Sequence, residues 1–144
     1  MGKLIKCHWA RLILLSASVC QIAASISGLW WPKIFFDSLT RDLDIAVKPI
    51  PYLQIFNFVS GLLVCAFEWP MGVFSGSPLY RSIEARLIFL PLTITTSMLM
   101  YQSTNPAIFY SIGLIVYFWA YSAGESVPEK PWSRPSRPSG RNIV

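Results

Sequence analysis

Charge is what this sequence has least of. Only 13% of its 144 residues are Asp, Glu, Lys or Arg, while 53% are apolar; an average globular chain carries roughly 25% charged residues. A water-soluble fold so poor in charge would be left with large exposed apolar patches and would aggregate. The expectation is therefore a fold whose outer surface meets lipid. Chemistry-bearing groups are sparse as well. His8 is the single histidine, and Cys7 beside it has no partner pair at ligand spacing, so neither a metal site nor a cofactor is expected. Of the three cysteines, Cys20 and Cys65 fall inside apolar runs and Cys7 lies just before the first, which excludes a disulfide framework of the secreted kind. No Asn-x-Ser/Thr sequon occurs, because Asn105 is followed by Pro106 and Ala107. There is no Asp-rich lipid-synthase motif, no serine–lysine pair and no internal repeat marking duplicated halves.

What is present is apolar length. Four stretches, 12–31, 50–69, 83–101 and 106–123, run for 18 to 20 residues each. At about 1.5 Å per residue each is long enough to cross a hydrocarbon core of about 30 Å. The third is the weakest, since Glu84 and Arg86 occupy its first turn and Arg86 has to snorkel. The basic start followed by "LILLSASV" resembles a signal peptide, but the apolar run continues to Trp31, twice the usual core length, so an uncleaved first span is expected. The fold class that follows is all-α: a transmembrane four-helix bundle over residues 1–124 with a disordered cytoplasmic tail at 125–144.

Charge placement sets the orientation. Nine Lys and Arg residues lie before the first run, around the middle loop or in the tail, against three (Lys33, Arg41, Lys48) in the first connection. By the positive-inside rule both termini are cytoplasmic. The net charge of +5 is then a topology signal and a weak attraction to anionic lipids, with no nucleic-acid partner implied. In "KIFFDSLTRDLDIAVK" apolar residues recur at three- and four-residue steps, which predicts an amphipathic helix at about 34–47 lying in the outer interface. "QSTNP" reads as a tight turn that makes the last two spans a hairpin. The tail's "RPSRPS" offers arginine-x-serine sites at Ser136 and Ser139 and a minimal PxxP, short signals through which cytoplasmic proteins could dock.

Three groups of residues are the candidate sites. Glu68 ends the second run, just before Trp69 and Pro70, and across the middle loop stand Arg81, Glu84 and Arg86 in "RSIEARL". Neighbouring spans would bring Glu68 to Arg86 or Arg81 as an anchoring ion pair at the inner interface, where a carboxylate is least costly; a functional carboxylate is the alternative. Gln21, Gln54, Asn57 and Thr96 are polar groups that need partners in hydrocarbon. Either they clasp one another or they line a polar substrate pocket. Ser16, Cys20, Ala24 and Gly28 recur every four residues, a helix-packing face used within the chain or against a second copy.

"GLWWP" is similar to the claudin signature, but the paired cysteines that should follow it are missing and the outer loop is too short. The segments "WWPKIFFD", "VKPIPYLQIFNF", "FEWP", "RSIEARL" and "YFWAYSAGE" carry a closer likeness. Over residues 1 to about 125 the chain resembles a family of short four-span integral membrane proteins of filamentous fungi whose function is not established. That resemblance implies a four-helix membrane fold and a fungal source, and carries no active site with it. The expected role is non-enzymatic: an accessory subunit or helix-packing scaffold, with membrane lipids and a membrane-protein partner or second copy as its company. A small-solute or lipid carrier using a polar mid-membrane site is the alternative, and a lipid-modifying enzyme built on Glu68, Glu84 and the arginines is the third.

Overall fold

The computed structural model describes residues 5–31, 33–34, 50–69, 77–125 and 127, with only the backbone described at positions 79 and 81. The amphipathic helix expected at about 34–47 lies outside the described residues apart from Ile34. So does the tail apart from Glu125 and Val127, and so does the side chain of Arg81. Among the described residues the chain is all-helical and contains no strand. There are four long helices, α1 (Lys6–Trp30), α2 (Tyr52–Glu68), α4 (Ile83–Leu99) and α5 (Thr104–Ser122), with the single turn α3 (Pro78–Arg81) just before α4 and a 3-10 turn at Tyr101–Ser103 between α4 and α5. Among the described residues only α1 is long and apolar enough to cross a membrane by length and composition; α2 is a shorter apolar helix of 17 residues.

Local chemistry explains the ends. α2 stops at Glu68 because Pro70 pushes the residue before it out of the helical region, and Trp69 is extended at φ −71°, ψ 139°. α4 starts where Ser82 takes up the Ala85 N–H at 3.1 Å, with Glu84 in the positively polarised first turn. α5 carries Pro106 in its first turn, where a missing N–H costs nothing. It closes on Gly124, whose φ of +68° suits a residue without Cβ. The Gly124 N–H donates to the Tyr121 carbonyl (2.9 Å) and the Glu125 N–H to that of Ala120 (3.0 Å), the bond pair of a Schellman cap. This turn aims Glu125 back at the start of α1, where its Oε2 accepts from the Cys7 N–H at 3.2 Å.

The helices form a bundle in the order α2–α1–α5–α4, with α2 and α4 making the sparsest seam. The inward face of α1 is Cys7, Ala10, Arg11, Leu14, Ala17, Ser18, Gln21, Ser25 and Gly28, alternating three- and four-residue steps as in a coiled-coil seam. α1 begins six residues before the run at 12–31 because Arg11 is buried inside the bundle rather than left at its edge. Small residues set the closest approach. A Cβ at Gly113 would lie 2.6 Å from Leu14 Cδ2 and 2.9 Å from its Cγ, and Leu14 is fully buried. Gly113→Ala is therefore expected to cost about 1–3 kcal/mol through overpacking. Its melting midpoint in detergent should fall below that of Gly61→Ala, whose nearest atom is Ile22 Cγ1 at 3.1 Å. An unchanged midpoint for Gly113→Ala would mean that α1 and α5 do not approach this closely.

Candidate functional site

Two polar assemblies interrupt the apolar interior, about ten residues apart along α1. The first is centred on Glu68, which is 2% exposed at the end of α2. Arg86, one turn into α4, donates from Nε to Glu68 Oε1 at 2.8 Å. Its Nη1 reaches the Tyr80 and Ser82 carbonyls at 2.5 and 3.1 Å, and its Nη2 the Phe67 carbonyl at 3.5 Å. The other carboxylate oxygen accepts from the Tyr117 hydroxyl of α5 at 2.7 Å and lies 3.5 Å from Arg11 Nε. Arg11 Nη2 donates to the Glu68 carbonyl at 3.1 Å and to the Tyr80 hydroxyl. The Tyr80 ring faces both guanidinium groups, at 5.5 Å from Arg11 and 5.3 Å from Arg86. One carboxylate thus gathers α1, α2, α4 and α5. Each of its oxygens accepts a hydrogen bond from a buried side chain.

The second assembly sits near mid-bundle. Gln21 Nε2 donates towards Asn57 Oδ1 (3.0 Å), Ser60 Oγ (3.2 Å) and Ser97 Oγ (2.8 Å). Gln21 Oε1 accepts from the Tyr110 hydroxyl at 2.6 Å. Ser97 donates to Asn57 Oδ1 at 3.2 Å, and Asn57 Nδ2 donates to the Leu53 and Thr96 carbonyls at 2.9 and 3.1 Å. Each side chain from α1, α2, α4 and α5 in this set is buried and finds its partner within the set or on the neighbouring backbone.

Of the residues singled out from the sequence, Glu68 and Arg86 are brought together, as are Gln21 and Asn57. Glu84 is exposed and takes the Tyr121 hydroxyl at 3.4 Å, away from Glu68. Thr96 joins through its carbonyl, its hydroxyl being turned back to the Leu92 and Thr93 carbonyls at 3.1 Å each. Gln54 lies nearer the Trp30 end, donating to the Gly28 carbonyl at 3.5 Å, and its buried Oε1 has no partner among the described residues. In the proposed packing ladder Ser16 and Cys20 are exposed, Ala24 is half-buried and Gly28 alone is buried. The face that α1 turns inward is offset from that ladder, because Gln21, Ser18 and Ser25 have buried partners to meet. The reading from sequence missed Arg11, Tyr80, Ser60, Ser97, Tyr110 and Tyr117. The two tyrosines of α5 stand seven residues apart, two helical turns on one face, a signal that could have placed both hydroxyls inward.

Between α2 and α4, where packing is thinnest, a cavity of about 350 Å³ opens to the side. Its walls are Val64 and Phe67 from α2 and Ala85, Ile88 and Phe89 from α4, and Glu68 and Arg86 close one end. Among the described residues no group of three His, Cys, Asp or Glu side chains gathers to hold a metal ion. A family model described as Domain of unknown function (DUF7727) matches residues 1–125 of the chain. No curated protein matches it.

Proposed function

We propose, for a chain that belongs to the DUF7727 family, a four-span integral membrane protein that works by packing: a helical scaffold or accessory subunit, not a catalyst. The mid-bundle assembly carries this reading. A carrier of polar solutes needs a cavity lined by unsatisfied polar groups, whereas Gln21, Asn57, Ser60, Ser97 and Tyr110 satisfy one another with their side chains buried. The membrane setting is supported by an inverted distribution of side chains. Trp30, Ile88, Ile115 and Phe118 are 79%, 78%, 68% and 62% exposed, while Arg11, Gln21, Asn57 and Glu68 are buried. In water that arrangement would be penalised twice, once for the bare apolar surface and once for the buried polar groups. α2, α4 and α5, at 17, 17 and 19 residues, reach about 26–28 Å and span with modest thinning of the bilayer. With cytoplasmic termini, the Glu68–Arg86 assembly stands at the cytoplasmic interface. A fungal source belongs to the same reading, through the likeness of the segments quoted above.

The purified protein is expected to need detergent for dispersal and to leave polar-solute flux across lipid vesicles at the level of empty vesicles. It should also co-purify from native membranes with a stoichiometric membrane-protein partner or a second copy. Saturable solute uptake that disappears in Gln21→Leu, with the variant still folded, would replace the scaffold with a carrier.

A further inference from the structure

The seam between α2 and α4 leaves room among the described residues. We infer that it is a binding site for one acyl chain of a membrane phospholipid, entered sideways from the leaflet on the Glu68 side. The inference rests on the membrane reading above. Three observations select this occupant. The walls are hydrocarbon and aromatic, from Val64, Phe67, Ala85, Ile88 and Phe89, and the closed end is the ionic Glu68–Arg86 assembly. Walls of this kind take hydrocarbon, and an acyl chain is the hydrocarbon that the membrane reading supplies.

The volume is the second observation. A methylene fills about as much space as a water molecule in the liquid, roughly 30 Å³, so 350 Å³ holds about a dozen carbons of one chain. A transmembrane helix about 10 Å across would fill the same volume with less than one turn of about 5.4 Å, so it can cover the mouth but cannot enter. The third is the state of Arg86. Four of the five N–H groups of its guanidinium are used, on Glu68 Oε1 and on the carbonyls of Tyr80, Ser82 and Phe67. Most of its hydrogen-bonding capacity is thus spent within the protein, and the apolar walls, more than any headgroup, carry the binding.

The test is native mass spectrometry of the full chain after exchange into vesicles of phosphatidylcholine or phosphatidylglycerol and mild detergent extraction. The wild type should retain one phospholipid of either headgroup to a similar extent. Ala85→Phe, which fills the cavity from its α4 wall, and Ile88→Trp, which closes its rim from a surface position, should each cut retention about tenfold or more, since even a methylene of misfit in an apolar pocket costs that much. Ile115→Phe, on the lipid-facing side of α5, should leave retention unchanged. No retained lipid in a folded wild type, equal retention by both cavity variants, or strong preference for the anionic lipid would each overturn the site. Failure of the membrane reading shows separately, as protein that disperses without detergent.

Discussion

Glu68→Gln is expected to be the most damaging single change in the described part of the chain, lowering stability by about 3–5 kcal/mol, the usual consequence of stripping one partner from a buried ion pair. That corresponds to roughly a hundredfold to a few thousandfold shift towards the unfolded state. The geometry explains why the carboxylate matters more than either arginine. Glu68 is shared: Arg86 Nε is 2.8 Å from one oxygen, while the Tyr117 hydroxyl and Arg11 Nε stand 2.7 and 3.5 Å from the other. Removing Arg86 leaves the carboxylate with Arg11 and Tyr117. Removing the charge of Glu68 leaves two guanidinium groups facing each other across Tyr80 and presents an amide N–H₂ to one of them. Arg86→Met should therefore cost less than Glu68→Gln. The double variant should cost less than the sum, with a coupling of about 0.5–3 kcal/mol as found for directly contacting residues. Denaturant titration in detergent micelles measures all three. Should Glu68→Gln stay as stable as the wild type while an activity disappears, the carboxylate serves chemistry and the anchor account is wrong.

That ion pair was half legible in the sequence. Glu68 ends one apolar run and Arg86 begins the next, so any hairpin-like path across the middle loop brings them to the same end. Arg11 was illegible for a physical reason: a cation at the margin of an apolar run reads as a topology signal, and only the fold shows it turned inward to the Glu68 carbonyl and Tyr80. The helices themselves were readable because uncharged apolar runs bounded by Pro, Ser and Gly leave few alternatives. Their lengths were less so, since helix ends follow hydrogen bonding, not hydropathy. α1 runs from Lys6, and α4 stops at Leu99 where Ile34 bridges to Met100. Face selection within the bundle needed the fold. The ladder Ser16, Cys20, Ala24 and Gly28 shows only that a neighbour could approach. Which side of α1 turns inward is decided by where Gln21 finds its partners, and that depends on Ser60, Ser97 and Tyr110 from three other helices.

Gln21→Leu tests that selection and should be the second-largest effect. Gln21 meets four partners on other helices: three acceptors share the two hydrogens of Nε2, and Oε1 accepts from Tyr110. Under the proposed membrane reading such bonds average about 0.6 kcal/mol and reach about 1.7, so the loss of three should cost about 2 kcal/mol. The Tyr110 hydroxyl would be left without its acceptor in the interior, and Asn57 Oδ1 would keep only the Ser97 hydroxyl at 3.2 Å. Gln54→Leu, an equally buried glutamine, should change stability by less than about 1 kcal/mol, because it gives up a single 3.5 Å bond and also removes a buried Oε1 that has no partner among the described residues. The contrast separates two explanations of why glutamines sit in this interior. If burial of an amide were stabilising in itself, both changes would cost alike. If the partners decide, only Gln21 should matter. A larger loss for Gln54→Leu, read from the same unfolding titration, would move the clasp to the Trp30 end of the bundle and leave the Gln21 set as a consequence of packing, not its cause.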